Sequence, residues 1–133
     1  MMTTVAVTER PTANGAVSTP AVLLHAEGLA LLGAALVGYH ALAASWTLFA
    51  LLFLVPDLSM LGYLVDLRWG ARAYNAAHTL LVPALLAGVG LFVGGHTLYP
   101  LAAIWLAHIG ADRALGYGLK YPTSFRETHL SRV

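Results

Sequence analysis

The chain has 133 residues, 59% of them hydrophobic and 10% charged, with a net charge of +1. A soluble domain usually carries about 25% charged residues, and a chain this short has too little interior to hide so much apolar surface from water, so a membrane is the better solvent. The small net charge excludes a polybasic nucleic-acid binder, and the lack of cysteine excludes disulfides, thiolate zinc sites and iron–sulfur clusters, which leaves His, carboxylate and amide groups as the ligands of any metal.

Residues 1–20 (MMTTVAVTERPTANGAVSTP) are rich in Thr, Ala, Pro, Gly and Ser and have no 3.6-residue apolar period. They read as a disordered tail. They lack the basic start and apolar core of a signal peptide. Four apolar stretches follow, from about Pro20 to Leu42, Ser45 to Val65, Ala71 to Val93 and Leu98 to Tyr117. Each is long enough to cross the hydrocarbon core. Turns are expected at Ala43–Ser45, Asp66–Gly70 and Gly94–His96, and Pro100 suits a first helical turn. The expected fold is all-α: an integral membrane, antiparallel four-helix bundle over residues 21–120, then a short polar cytoplasmic tail over 121–133.

Four spans place both termini on one face, and that face takes all seven Lys and Arg residues: Arg10, Arg68, Arg72, Arg113, Lys120, Arg126 and Arg132. The positive-inside rule makes this face cytoplasmic. Tyr39, Trp46, Trp69, Tyr99 and Tyr121 fall near span ends, where amphipathic rings prefer the interface. The glycines, such as Gly28 and Gly62, allow close helix approach.

Ionisable side chains inside a membrane are costly and usually functional. Counted at 1.5 Å per residue, Glu27, Asp57, His78, His108 and Asp112 all lie roughly 8–14 Å from the basic end. His108 and Asp112 are i and i+4 and point the same way, and Asn75 and His78 share a face of the third span. Pro56 should loosen the helix beside Asp57 and free carbonyls that need partners, with Ser59 and Tyr63 adding hydroxyls nearby.

Two imidazoles and up to three carboxylates make a hard nitrogen–oxygen set suited to zinc, iron or manganese. Carboxylate–histidine sites occur at the heart of four-helix bundles, although the usual Glu-x-x-His pairs are replaced here by His-x-x-x-Asp and single carboxylates. On this reading Asp57, His78, His108 and Asp112 are ligands, Glu27 is a further ligand or the general base, and Arg113 or Lys120 steadies an anionic group. The activity would be that of a metal-dependent membrane enzyme on a lipid or other amphiphile.

Other readings compete. The same residues could form a polar clasp, with Asp112 paired to Arg113 or Arg72 and Asp57 capping the break at Pro56. The protein would then be a helper subunit, or a small transporter or proton path. A bis-histidine haem between His78 and His108 needs facing imidazoles and a wide apolar slot. The outer halves of the spans are mostly Gly, Ala, Leu and Val, which disfavours a full path within one subunit, while a homo-oligomer could supply one. His25 is nearly opposite Glu27 on its helix and suits an interfacial role.

The stretch from about Leu23 to Leu130 resembles the DUF4260 family. The resemblance is carried by EG at Glu27, PDLSMLGY from Pro56 to Tyr63, GARAYNAAH from Gly70 to His78, AHIGADRALGYGLKYPTSF from Ala107 to Phe125, and THL from Thr128 to Leu130. It implies a small integral protein of the bacterial cytoplasmic (inner) membrane and lends no catalytic assignment.

Overall fold

A computed structural model describes residues 18–133. Most of the expected tail, with Arg10, lies outside the described residues. Helix α1 runs Thr19–Ala41, with Ser18 as its N-cap accepting from the Ala21 amide and Pro20 in its first turn. Ala43, at φ 52°, turns the chain, and Ser45 caps α2, Trp46–Leu52. A 3₁₀ segment, Val55–Leu64, continues it. Helices α3 (Leu67–His78), α4 (Leu81–Val93) and α5 (Gly95–Ala114) follow.

The exterior is apolar as well as the interior. Many large apolar side chains, among them Val37, Leu51, Leu64 and Phe92, point outward. Much of the buried set is small: Ala35, Ala71, Ala102, Ala103, Ala107 and, among glycines, Gly28 and Gly110. Small residues at helix contacts are the packing solution where lipid, not water, is the solvent. Two stretches are long and apolar enough to cross a membrane, Thr19–Ala41 and Trp46–Leu64, and the bent pair α3–α4 counts as a third if it forms one span. The fourth expected span, α5, is not among them. It is the enclosed helix, packed against α1 and α4 with eight buried residues, so its polar side chains need not face lipid.

The α1–α5 contact is backbone against backbone. A methyl group on Gly28 would stand 2.5 Å from the Ala114 nitrogen, and one on Gly110 would stand 2.6 Å from the Leu32 nitrogen. His25, on the same helix, donates from Nδ1 to the Ala114 carbonyl at 2.9 Å, closing the C-terminal end of α5. At the other end Tyr39, fully buried, donates to the Ser45 carbonyl at 2.6 Å and packs with Trp46 and Phe49.

Four expected boundaries are corrected. The second span is not one α-helix: Pro56 has no amide hydrogen and its ring opposes the Leu52 carbonyl, so α2 stops at Leu52. The chain beyond is 3₁₀, and its exposed residues Leu58, Leu61 and Leu64 recur every third position, as three residues per turn require. The third span is broken and bent by 42°. Pro83 opposes the Thr79 carbonyl in the same way, and Thr79 is extended at ψ 146°. Asp66–Gly70 is not a turn but the start of α3, because the Asp66 carboxylate caps the Trp69 amide at 2.7 Å. Helix α5 begins at Gly95, after Gly94 at φ 91°, so Pro100 lies beyond the first turn.

The residues after α5 fold back on the bundle. Leu119–Tyr121 pair with Glu127–His129 through Tyr121 N to Glu127 O at 3.0 Å and His129 N to Leu119 O at 2.9 Å. Asn75 of α3 grips Lys120 at both backbone groups, donating to its carbonyl at 2.8 Å and accepting from its amide at 2.6 Å. The Lys120 ammonium lies over Phe125 at 3.4 Å, Tyr74 at 4.4 Å and Tyr63 at 5.4 Å. Thr128 and Ser131 form a capping box that ends the chain in a 3₁₀ turn, His129–Arg132.

Two predictions follow from this packing. Gly110→Ala should destabilise the protein by about 1–3 kcal/mol through overpacking, whereas Gly33→Ala, inside α1 with nothing within 4 Å of its new methyl, should leave stability unchanged or raise it by up to about 1 kcal/mol. Denaturant unfolding in detergent checks both. The second concerns His129, whose Nδ1 accepts from the Leu119 amide at 2.8 Å. Burial, then the Arg113 charge, holds its pKa below the ordinary 6.5. The unfolded chain therefore binds the proton more readily, so the hairpin is most stable above pH 6.5 and weakens as pH falls through the folded value. Amide-exchange protection at Leu119 and His129 should drop between pH 7.5 and pH 5.

Candidate metal centre

The two helix breaks and α5 meet at one point. Asp57 sits at the start of the 3₁₀ segment, directly after the break at Pro56. His78 is the last residue of α3, directly before the break at Thr79. His108 and Asp112 lie one turn apart on α5. Gly110 lies between them in sequence and on nearly the opposite face, so the contact with α1 aims the pair toward α3 and the 3₁₀ segment.

One ligand atom from each of these four residues lies within 4.8 Å of the others. The two Nε2 atoms are 3.1 Å apart. Asp57 Oδ1 is 3.4 Å from each of them. Asp112 Oδ2 is 3.5 Å from His78 and 3.7 Å from His108. A tetrahedral ion with bonds of about 2.0–2.1 Å keeps its ligand atoms about 3.3–3.4 Å apart. Five of the six edges scatter around that length, and the sixth, between the two carboxylates, lies within 4.8 Å. An ion-paired carboxylate and imidazolium would instead close to about 2.7–2.9 Å.

The surrounding groups orient the ligands. His78 Nδ1 donates to the Tyr74 carbonyl at 2.8 Å, which fixes the tautomer of the neutral ring and leaves the Nε2 lone pair facing the centre. The Tyr74 ring stacks on His78 at 3.7 Å between centroids. Its hydroxyl donates to Asp112 Oδ2 at 3.0 Å. Trp105 of α5 donates to the Ala77 carbonyl at 2.6 Å, serving a backbone group that the break at Thr79 would strand. The Ser59 hydroxyl does not enter the centre and donates to the Pro56 carbonyl at 2.7 Å. His108 Nδ1 and the Tyr63 hydroxyl are buried without a hydrogen-bond partner, and His108 packs edge-on against Phe53.

The two histidines are buried, while the side chains of Asp57 and Asp112 retain 30% and 19% exposure. The centre therefore opens on its Asp57 side. A cavity of about 10 Å³ beside it, lined by residues including Tyr74, Asp112, Arg113 and Tyr117, has room for about one water. The Lys120 amine lies within electrostatic reach: burial draws it below the usual lysine range, and the charges of Asp112 and Asp57 oppose that shift.

Of the residues expected at a site, Asp57, His78, His108 and Asp112 converge and Glu27 does not. Glu27 is exposed on α1, because its neighbour Gly28 is the residue turned into α5. Glu27 stands apart from the four converging side chains. Arg113 is half-buried at the small cavity. Among the described residues the one arginine–carboxylate pair is Arg132–Glu127, at 3.0 Å, so the guanidinium clasps expected for Asp112 are absent there. A haem slot is also missing: two nitrogens 3.1 Å apart leave no room for a macrocycle between them. Tyr74 was missed, although its position four residues before His78 on one helix face is the signal that finds it.

The family model of DUF4260, described as a domain of unknown function, matches residues 21–133. The chain belongs to this family. No curated protein and no solved structure matches it. Within this DUF4260 chain the match covers all four converging residues and the hairpin that follows α5.

Partners that orient metal ligands typically change affinity by about 10–100-fold when removed. Tyr74→Phe keeps the stacked ring and deletes the donor to Asp112, so zinc affinity should fall within that range with little loss of helicity. Competition with a chromophoric chelator, alongside circular dichroism, measures both.

Proposed function

We propose that this protein is an integral membrane metalloprotein of the bacterial inner membrane, with four antiparallel spans and both termini cytoplasmic. Its metal, zinc or else iron or manganese, is held by Asp57, His78, His108 and Asp112. The observation that carries the reading is the convergence of four ligand atoms within 4.8 Å, with the five contacts that involve an imidazole at 3.1–3.7 Å. This spacing favours a small tetrahedral ion, and zinc first among the three.

The activity we assign is metal-assisted chemistry on the headgroup end of a lipid or other amphiphile. Its support is the position of the centre, at helix breaks between membrane-length helices and open on the Asp57 side. A substrate oxygen arriving there would be polarised by the ion, and an exposed carboxylate is the ligand best able to yield a position. Arg113 at the small cavity would steady a developing negative charge. A second reading, in which the ion only ties the 3₁₀ segment, α3 and α5 together, is favoured by one observation: all four tetrahedral positions are filled from the chain.

Elemental analysis of the detergent-purified protein, beside a His78→Ala/His108→Ala variant, tests the centre. Near-stoichiometric zinc, iron or manganese in the wild type, lost in the variant, is the expected result. No metal after reconstitution with each ion overturns it. Chelation after loading should lower the melting temperature, since an ion bound only to the folded state stabilises it by mass action.

A further inference from the structure

A second polar feature lies one to three turns along α3 from His78. Arg68 and Arg72 are i and i+4 and share a face, and Asn75 continues it. With Ala71, Lys120 and Pro122 they line an open cavity of about 400 Å³ between α3 and the C-terminal hairpin. Arg68 and Pro122 also line an adjoining cavity of about 480 Å³, with Asp66 and Leu67. The hairpin wall is fixed, because Asn75 holds the Lys120 backbone at two points.

The charge in this cavity is uncompensated among the described residues. Neither Arg68 nor Arg72 has a carboxylate within ion-pair distance there, and Asp66, which lines the adjoining cavity, spends a carboxylate oxygen on the Trp69 amide. The surroundings are those of a membrane–water boundary. Trp69 is exposed, with Arg72 against its ring at 5.5 Å, and Leu64, Val65 and Leu67 beside it are also exposed. An arginine fork binds phosphate oxygens in a bidentate manner. A cationic cavity edged by apolar side chains accommodates a group that is anionic at one end and greasy at the other.

We propose that the cavity lined by Arg68, Arg72, Asn75 and Lys120 binds a phosphate group, as carried by the headgroup of an anionic phospholipid. The site does not depend on the metal centre, which uses other side chains. It stands one to nearly three helical turns from it, about 5–15 Å along the axis at 1.5 Å per residue from Asn75 to Arg68.

The test uses the full chain in detergent with three probes: phosphatidylglycerol, inorganic phosphate and uncharged diacylglycerol. Binding is read by native mass spectrometry and by the shift in melting temperature. Wild type should bind phosphatidylglycerol in preference to diacylglycerol, and Arg68→Gln/Arg72→Gln should weaken it about 10–30-fold, as loss of two near-surface cations at about 1 kcal/mol each implies. Binding of inorganic phosphate with the same loss in the variant would support the site and make free phosphate its source. Lack of preference over diacylglycerol, or unchanged phosphatidylglycerol affinity in the variant, overturns the proposal. Metal content is measured in the same samples. An unchanged value in the variant separates the two sites, and failure of either assay leaves the other interpretable.

Discussion

Two carboxylate oxygens and two imidazole nitrogens are directed at one point inside an apolar bundle, within 4.8 Å of one another. Lone pairs brought this close in a low-dielectric interior repel unless a positive charge stands among them. A shared proton neutralises one or two of the contacts. A divalent ion would satisfy all four at once. The rest of the architecture follows from the need to bring these atoms together. Both interrupted helices are interrupted at a ligand, and the enclosed helix is the one that carries the other two.

The helix breaks are a cost that the site explains. Irregular backbone at membrane depth is tolerated where neighbouring groups serve the freed carbonyls and amides. Trp105 serves Ala77 and Ser59 serves Pro56. The 3₁₀ run of ten residues is long for that geometry. Its three-residue period keeps Leu58, Leu61 and Leu64 outward while Asp57 begins the segment at the centre. A regular α-helix would rotate these positions out of line.

The hairpin after α5 joins the centre to the basic end. Lys120 is fixed by Asn75 on α3 and caged by Phe125, Tyr74 and Tyr63. Tyr74 also stacks on His78 and bonds Asp112. One aromatic side chain thus touches a ligand, a second ligand and the buried lysine. A change in the hairpin therefore has a direct route to the centre through packed rings rather than through a long chain of contacts.

The sequence by itself determined the helical class, the presence of membrane-length apolar stretches and the residue types of the centre, because hydropathy, cysteine content and rare ionisable residues within apolar runs are properties of residue type. The pairing of His108 with Asp112 was legible because helical periodicity alone sets it. Only the tertiary structure separated Glu27 from the other four. Depth along a span is countable, but the facing of α1 is set by Gly28 against the α5 backbone, a contact between distant segments. The breaks at Leu52 and Thr79 were written in Pro56 and Pro83, four residues on. What those breaks accomplish appears only when the loose ends are packed on α5, since proline dictates where a helix stops and not where the freed side chain points.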